Sequence, residues 1–177
     1  MIIPEPAILS REIGEFLRKN KLIAVTAESC TAGLISSTLA MTPSSSHYLD
    51  GGFVVYSVEA KNKVLNVGLE TVERFDVTSE EVAREMAIGA LEKSPRSNIA
   101  LSTTGLAGPS GGSEKIPVGT VCFAWSFRVG QNILTFSDTQ HLQGNRLQVC
   151  HAAVAHSLVN IEKYFNLSRK NQVKPKL

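Results

Sequence analysis

Between the apolar run Leu22 to Val25 and a helix-like segment that begins near Leu34, the chain reads Thr26-Ala27-Glu28-Ser29-Cys30-Thr31-Ala32-Gly33. A hydroxyl and a thiol side by side at a strand-to-helix turn are candidate nucleophiles. The unpaired N–H groups at a helix start favour an anion, or the oxyanion that forms when a nucleophile adds to a carbonyl. Small residues at Ala27, Ala32 and Gly33 let a ligand lie close to the backbone. The same residues also fit an ordinary N-cap, in which Ser29 or Thr31 bonds the first turn of the next helix. Cys30 competes with Ser29 because a helix start lowers a thiol's pKa, whereas small buried cysteines are more often inert filling. A second cluster follows, with Tyr56 at a strand end, Ser57 able to cap a short helix from Val58 to Val67, and Lys61 one turn inside it. Both Tyr56 and Lys61 could face one cavity; their blander roles are a rim tyrosine and a solvated lysine.

The elements that must position these groups alternate between helical and strand periods. Ala7 to Lys19 carries Ile8, Leu9, Ile13, Phe16 and Leu17 at helical steps, Leu22 to Thr26 reads as a buried strand, and Leu34 to Met41 as a helix stopped by Thr42-Pro43. Gly51-Gly52 precedes a second strand at Phe53 to Tyr56, its glycines allowing close backbone approach. Thr78 to Glu81 has the form of a capping box, and the helix after it packs through Val82, Met86 and Ala90. Asn98 to Ser102 is a short central strand, and the glycine-rich loop Thr103 to Gly112 leaves its carboxyl end, where open α/β sheets bind ligands. Val118 to Phe127 and Asn132 to Thr139 form a hairpin about Val129-Gly130, so the sheet is expected to be mixed. From Gly144 one long helix is expected, with Leu147, His151, Val154, Leu158, Ile161 and Phe165 on its apolar stripe. Ser168 to Leu177 is basic and reads as a flexible tail.

Composition excludes several classes. The chain has 177 residues, 43% apolar and 19% charged, the balance of one globular domain with a substantial core. A net charge of +2 without a concentrated basic face argues against nucleic acid. Cys30, Cys122 and Cys150 are odd in number and widely spaced, which suggests neither a disulfide frame nor a metal site and points to a reduced, cytoplasmic setting. Met1 to Ser10 lacks the form of a signal peptide, and no apolar run is long enough to span a membrane. Asp50, Asp76 and Asp138 show no pairing by spacing. His151 reads as a packed or interface histidine, with His47, His141 and His156 offering less, and Trp125 reads as core.

The segments Thr26 to Gly33, Gly52 to Lys61 and Thr104 to Gly112, with Pro117-Val118-Gly119-Thr120, resemble the CinA carboxy-terminal domain family, which includes nicotinamide-nucleotide amidases. The resemblance runs from about Leu9 to Phe165. It implies a single-domain three-layer α/β/α sandwich over residues 1–166, with 167–177 as tail, and a homo-oligomer. It also implies hydrolysis of the carboxamide of nicotinamide mononucleotide to nicotinate mononucleotide and ammonia, with no metal or organic cofactor. An amide needs a nucleophile, a base, oxyanion donors and an acid for the departing ammonia. The resemblance favours Ser29 as nucleophile, activated by an unprotonated Lys61, with Tyr56 relaying or orienting the proton. Backbone N–H groups from Cys30 through Thr31 and Ala32 to Gly33, or at Gly105, could hold the oxyanion. Thr104, Gly105, Ala107 and Gly108 would contact ribose or phosphate, Arg146 would clamp phosphate, and Glu28 would steady the site or bond a sugar hydroxyl.

Four positions depart from the family's usual wording. Two glycines are usual at Ala32-Gly33, asparagine at Val58, arginine at Gly51 and aspartate at Asn145. They motivate a rival expectation, a catalytically impaired paralogue that keeps the pocket as a nucleotide-binding or oligomer-forming module; a different amide or ester substrate is a third.

Overall fold

The computed structural model describes residues 5–172, so Met1 to Pro4 of the N-terminal stretch and residues 173–177 of the expected tail lie outside it. The elements run α1 (Pro6–Lys19), β1 (Ala24–Glu28), α2 (Leu34–Ala40), β2 (Leu49–Val54), α3 (Val58–Leu65), α4 (Leu69–Phe75), α5 (Glu80–Lys93), β3 (Ile99–Gly105), β4 (Thr120–Val129), β5 (Asn132–His141), α6 (Arg146–Val159) and α7 (Ile161–Gln172). The strands form one sheet in the order β2-β1-β3-β4-β5. β1 is parallel to β2 and β3, while β3–β4 and β4–β5 are antiparallel, so the sheet is mixed.

Period-two alternation along the strands builds two apolar layers. Ile99, Leu101, Phe123, Trp125 and Phe127 point to the face covered by α1, α2, α6 and α7. Ala100, Cys122 and Ala124 point to the other face, where α5 packs with α3 beside it. The result is a single α/β domain with helices on both faces. Trp125 is fully buried as read, stacks on Tyr164 at 4.3 Å between centroids, and donates its indole N–H to the Ser157 carbonyl at 2.8 Å. The β4–β5 hairpin closes through Gly130 and Gln131, with Gly130 at φ 61 as a type II′ turn requires.

Several boundaries differ from those read in the sequence. The second strand begins at Leu49, ahead of the apolar residues, because Gly51 and Gly52 pair with Val25 and Thr26. A Cβ at Gly52 would lie 2.6 Å from Thr26 Oγ1 and 2.9 Å from Ser36, so the close approach there is by α2 packing on the sheet rather than by a ligand. The cap of α5 is Ser79, whose hydroxyl accepts from the Val82 N–H, one residue beyond the expected Thr78. The single C-terminal helix is two, α6 and α7, broken at Asn160, and α7 carries the chain to Gln172, into the stretch read as tail. Among the described residues no helix is long and apolar enough to cross a membrane.

Candidate active site

β1 lies between β2 and β3, and the chain leaves it at Glu28. The next residue, Ser29, donates its N–H to the Thr103 carbonyl of β3 at 2.9 Å, and Val55 after β2 donates to the Glu28 carbonyl at 2.9 Å. The turn is thus pinned to the carboxyl ends of both neighbouring parallel strands, where such sheets place ligands. The side chain of Glu28 is fully buried and turns inward. One oxygen accepts from Thr26 Oγ1 at 3.0 Å and Ser36 N at 2.9 Å, the other from Thr31 Oγ1 at 2.7 Å, Gly33 N at 2.9 Å and Ile35 N at 3.0 Å. Glu28 therefore caps α2, whose own N-cap, Gly33, has no side chain to do so. Neither Ser29 nor Thr31 is that cap, and the carboxylate, expected to steady the site or to bond a sugar hydroxyl, makes its hydrogen bonds within the protein.

Ser29 is 7% exposed and its hydroxyl accepts a hydrogen bond from Lys61 Nζ at 2.8 Å. Lys61 projects from the buried face of α3, which the Ser57 hydroxyl caps by accepting from Ala60 N at 3.0 Å. Its ammonium, 0% exposed, also donates to the carbonyls of Val55 at 2.9 Å and Tyr56 at 3.0 Å. Among the described residues no carboxylate pairs with it. A buried cation held only by neutral acceptors is easily deprotonated, and burial lowers the Lys61 pKa from 10.5 to about 8. The geometry suits both forms. The ammonium's three protons meet three acceptors; in the neutral amine the two carbonyls take both protons, and the lone pair is left for the Ser29 hydroxyl.

Cys30 is the weaker nucleophile here. Burial pushes its pKa to about 12, so the thiol keeps its proton, and its carbonyl accepts from the equally buried Cys150 Sγ at 3.3 Å. Of the turn's backbone donors, Ala32 N bonds the Ser29 carbonyl and Gly33 N bonds Glu28. Among the described residues the N–H groups of Cys30 and Thr31 make no bond to another residue, so they are the turn's two consecutive donors, next in sequence after Ser29, that no other residue takes.

The remaining candidates divide. The Tyr56 phenol is 57% exposed and hydrogen-bonds neither Ser29 nor Lys61; it accepts from Arg146 Nη2 at 2.7 Å, and only its main-chain carbonyl reaches the lysine. In place of the expected proton relay, the phenol links the β2–α3 connection to the start of α6. Arg146 also donates to the Gly108 carbonyl at 2.9 Å, so it joins the glycine-rich loop to the tyrosine at the rim. The Thr104 hydroxyl, expected on ribose or phosphate, donates instead to the Val77 carbonyl at 2.7 Å. Gly105 is where β3 meets β4, since a Cβ there would lie 2.5 Å from the Thr120 carbonyl oxygen. Gly108 sits at φ 77, a conformation that favours glycine, and Ala107 is buried. His151 is exposed rather than packed and lines a cleft of about 320 Å³ between α1, α2 and α6 whose lining includes neither Ser29 nor Lys61.

The four departures leave these contacts intact. Asn145 caps α6 in a reciprocal capping box with Gln148, the role an aspartate would share. Val58 follows an effective Ser57 cap, and a Cβ at Gly51 meets nothing within 4 Å. Ala32 alone is costly. It holds φ 48, a left-handed conformation in which an L side chain is strained. Ala32→Gly is expected to raise stability by about 0.5–1 kcal/mol, the relieved strain exceeding the entropy added to the unfolded chain. Paired urea melts of the two proteins check this.

Sequence reasoning missed several partners. Thr26 and Glu28 were detectable, since residues two apart on a strand share a face. Thr103, whose hydroxyl lies 2.7 Å from that of Thr31, carries no local signal. Nor does Asp138, taken as unpaired, which lies 3.2 Å from His156 Nε2; burial lowers the His156 pKa despite that carboxylate.

Comparison with known proteins places this geometry among relatives. The profile of the CinA C-terminal domain matches residues 7–165. A CinA-like protein of Chloroherpeton thalassium is 49% identical over 141 residues, 78% of this chain and 33% of that protein. The chain thus spans about a third of the length of the first curated relatives it matches. The nicotinamide-nucleotide amidohydrolase PncC of Escherichia coli is 40% identical over 157 residues, 89% of this chain and 93% of that protein. Among solved structures, an Escherichia coli protein of the competence-damaged (CinA) superfamily superposes with TM-score 0.83 at 33% identity, covering 90% of each chain. The competence/damage inducible protein CihA of Agrobacterium tumefaciens gives 0.82 at 37%, covering 92% of this chain and 98% of that one.

Proposed function

The chain belongs to the CinA C-terminal domain family, and from that premise we propose that it is a nicotinamide-nucleotide amidase working through Ser29 and Lys61. The observation that carries the proposal is the 2.8 Å hydrogen bond between the Ser29 hydroxyl and a fully buried lysine that has no counter-charge among the described residues. As Ser29 Oγ bonds to the carboxamide carbon of nicotinamide mononucleotide, neutral Lys61 takes the hydroxyl proton. The carbonyl electron pair moves onto oxygen, where the N–H groups of Cys30 and Thr31 receive it. Lys61 then returns the proton to the departing nitrogen, the C–N bond breaks, and ammonia leaves a nicotinoyl ester on Ser29 that still carries the ribose phosphate. Water, deprotonated by the same amine, adds to that ester; nicotinate mononucleotide departs and the serine regains its proton.

Arg146, with the Tyr56 phenol, stands at the rim as the partner for the substrate phosphate, and the Gly105 to Gly108 loop flanks it. Arg146→Ala is expected to raise KM about tenfold with little change in kcat, because a phosphate contact made equally in ground and transition states is uniform binding. Initial-rate kinetics on the nucleotide and on nicotinamide riboside check it; the riboside, lacking the phosphate, should not distinguish the two proteins. The test of the function itself is direct. Protein incubated with nicotinamide mononucleotide should release ammonia and nicotinate mononucleotide in equal amounts, and binding of the nucleotide without turnover would favour the impaired-paralogue reading instead. A cytoplasmic homo-oligomer is part of the same proposal.

A further inference from the structure

Glu28 lies one residue before the nucleophile, yet its carboxylate meets no solvent and gathers five donors, three of them backbone N–H groups at the start of α2. An ordinary N-cap side chain satisfies one or two such donors from the residue beside them. Here the cap comes from the strand end, five residues before Gly33, so the helix start is drawn back over β1 and the Ser29 to Ala32 turn is closed into a loop. The hydroxyl of Thr31 has one proton, which it gives to Glu28. The 2.7 Å contact between the Thr31 and Thr103 hydroxyls must then be donated by Thr103. Thr103 also accepts the Ser29 N–H on its carbonyl. One residue of β3 therefore holds the turn on both sides of Cys30, at Ser29 through its main chain and at Thr31 through its side chain.

From this arrangement we infer that Glu28 is a positioning residue for acyl transfer: with Thr31 and Thr103 it fixes the turn so that the N–H groups of Cys30 and Thr31 are held ready for the oxyanion of the Ser29 adduct. The inference rests on the amidase reading above. Preorganised donors act only on charge that develops in the transition state, so loosening them lowers kcat and leaves substrate binding alone.

The decisive variant is Thr31→Val, which keeps the branched shape and the N–H but removes the hydroxyl between Glu28 and Thr103. Its kcat for nicotinamide mononucleotide is expected to fall about tenfold or more, with KM within about twofold and the pH dependence still inflecting at the parent's position. Thr31→Ser, which restores the hydroxyl, should recover kcat to within about threefold. A parental kcat in Thr31→Val, a loss confined to KM, or no recovery with serine would overturn the inference. Should Thr31→Val fail to fold, Glu28→Gln gives the same readout from the other end, because a carboxamide turned with its oxygen toward Thr31, Gly33 and Ile35 keeps most of the donors satisfied. The labelling rate of Ser29 by a fluorophosphonate separates this claim from the function. If the unmodified protein labels but releases no ammonia, the amidase reading fails, while slower labelling of Thr31→Val with recovery in Thr31→Ser still supports the positioning role and equal rates still overturn it.

Discussion

Lys61→Met should lower kcat/KM for nicotinamide mononucleotide about 10³-fold, the loss expected when a general base is removed, and should change stability in a pH-dependent way that a surface lysine could not produce. The sign follows from the lowered pKa. Below about pH 8 the lysine is charged in both folded and unfolded chains, and the folded state bears the full cost of burying that charge. As pH rises from about 8 toward the ordinary 10.5, the folded protein releases its proton first and the parent gains stability. The methionine variant carries no such charge at any pH. Its stability relative to the parent should therefore fall by roughly 2–3 kcal/mol between pH 7 and pH 10, as the 1.36 kcal/mol per pKa unit requires. At pH 7 the removed charge favours the variant, and the abandoned carbonyls of Val55 and Tyr56 offset part of that gain. Urea denaturation of both proteins at the two pH values measures the difference. A gap that does not change with pH would mean that Lys61 is not the buried titrating group.

Ser29→Ala should cost more activity still, about 10⁴-fold or more, since without the hydroxyl there is no covalent route and only water remains as nucleophile. The fold should survive, because what holds the turn is the Ser29 N–H, the Glu28 carboxylate and the Thr103 hydroxyl, all of which remain. Lys61 keeps its two carbonyl acceptors. Cys30→Ala is the control: its protonated thiol takes no part in the proposed steps, so most activity should persist. Mass spectrometry of acid-quenched enzyme during turnover supplies a second readout, with the nicotinate mononucleotide acyl ester on Ser29 in the parent and none in Ser29→Ala.

How much of this could be read from the chain depended on whether a signal was local. The β1–turn–α2 unit, the buried Trp125 and the β4–β5 hairpin all followed from periodicity and turn residues, which act over a few positions. Periodicity also misled: the apolar stripe of Leu158, Ile161 and Phe165 continues across Asn160, so the break between α6 and α7 leaves no trace in the pattern. The short α4 has no buried residue and hence no stripe to find. At the site, Ser29 and Lys61 are 32 residues apart, and nothing in their spacing predicts a hydrogen bond; resemblance to a family proposed the pairing. The pairing of Tyr56 with Arg146, 90 residues away, was not foreseen, because which side chain a phenol meets is decided by how the β2–α3 connection and the start of α6 converge. Glu28 was expected either to steady the site or to bond a sugar hydroxyl, and the chain alone does not choose between them, since a carboxylate beside a nucleophile reads the same whether it faces a ligand or a helix start.

The most direct test is the pH dependence of kcat/KM for nicotinamide mononucleotide in the unmodified protein. If neutral Lys61 activates Ser29, the rate should climb about tenfold per pH unit at low pH and level off above an inflection near 8, the position set by burial of the amine. A profile that is flat from pH 6 to pH 9, or that falls as pH rises through 8, would contradict the account.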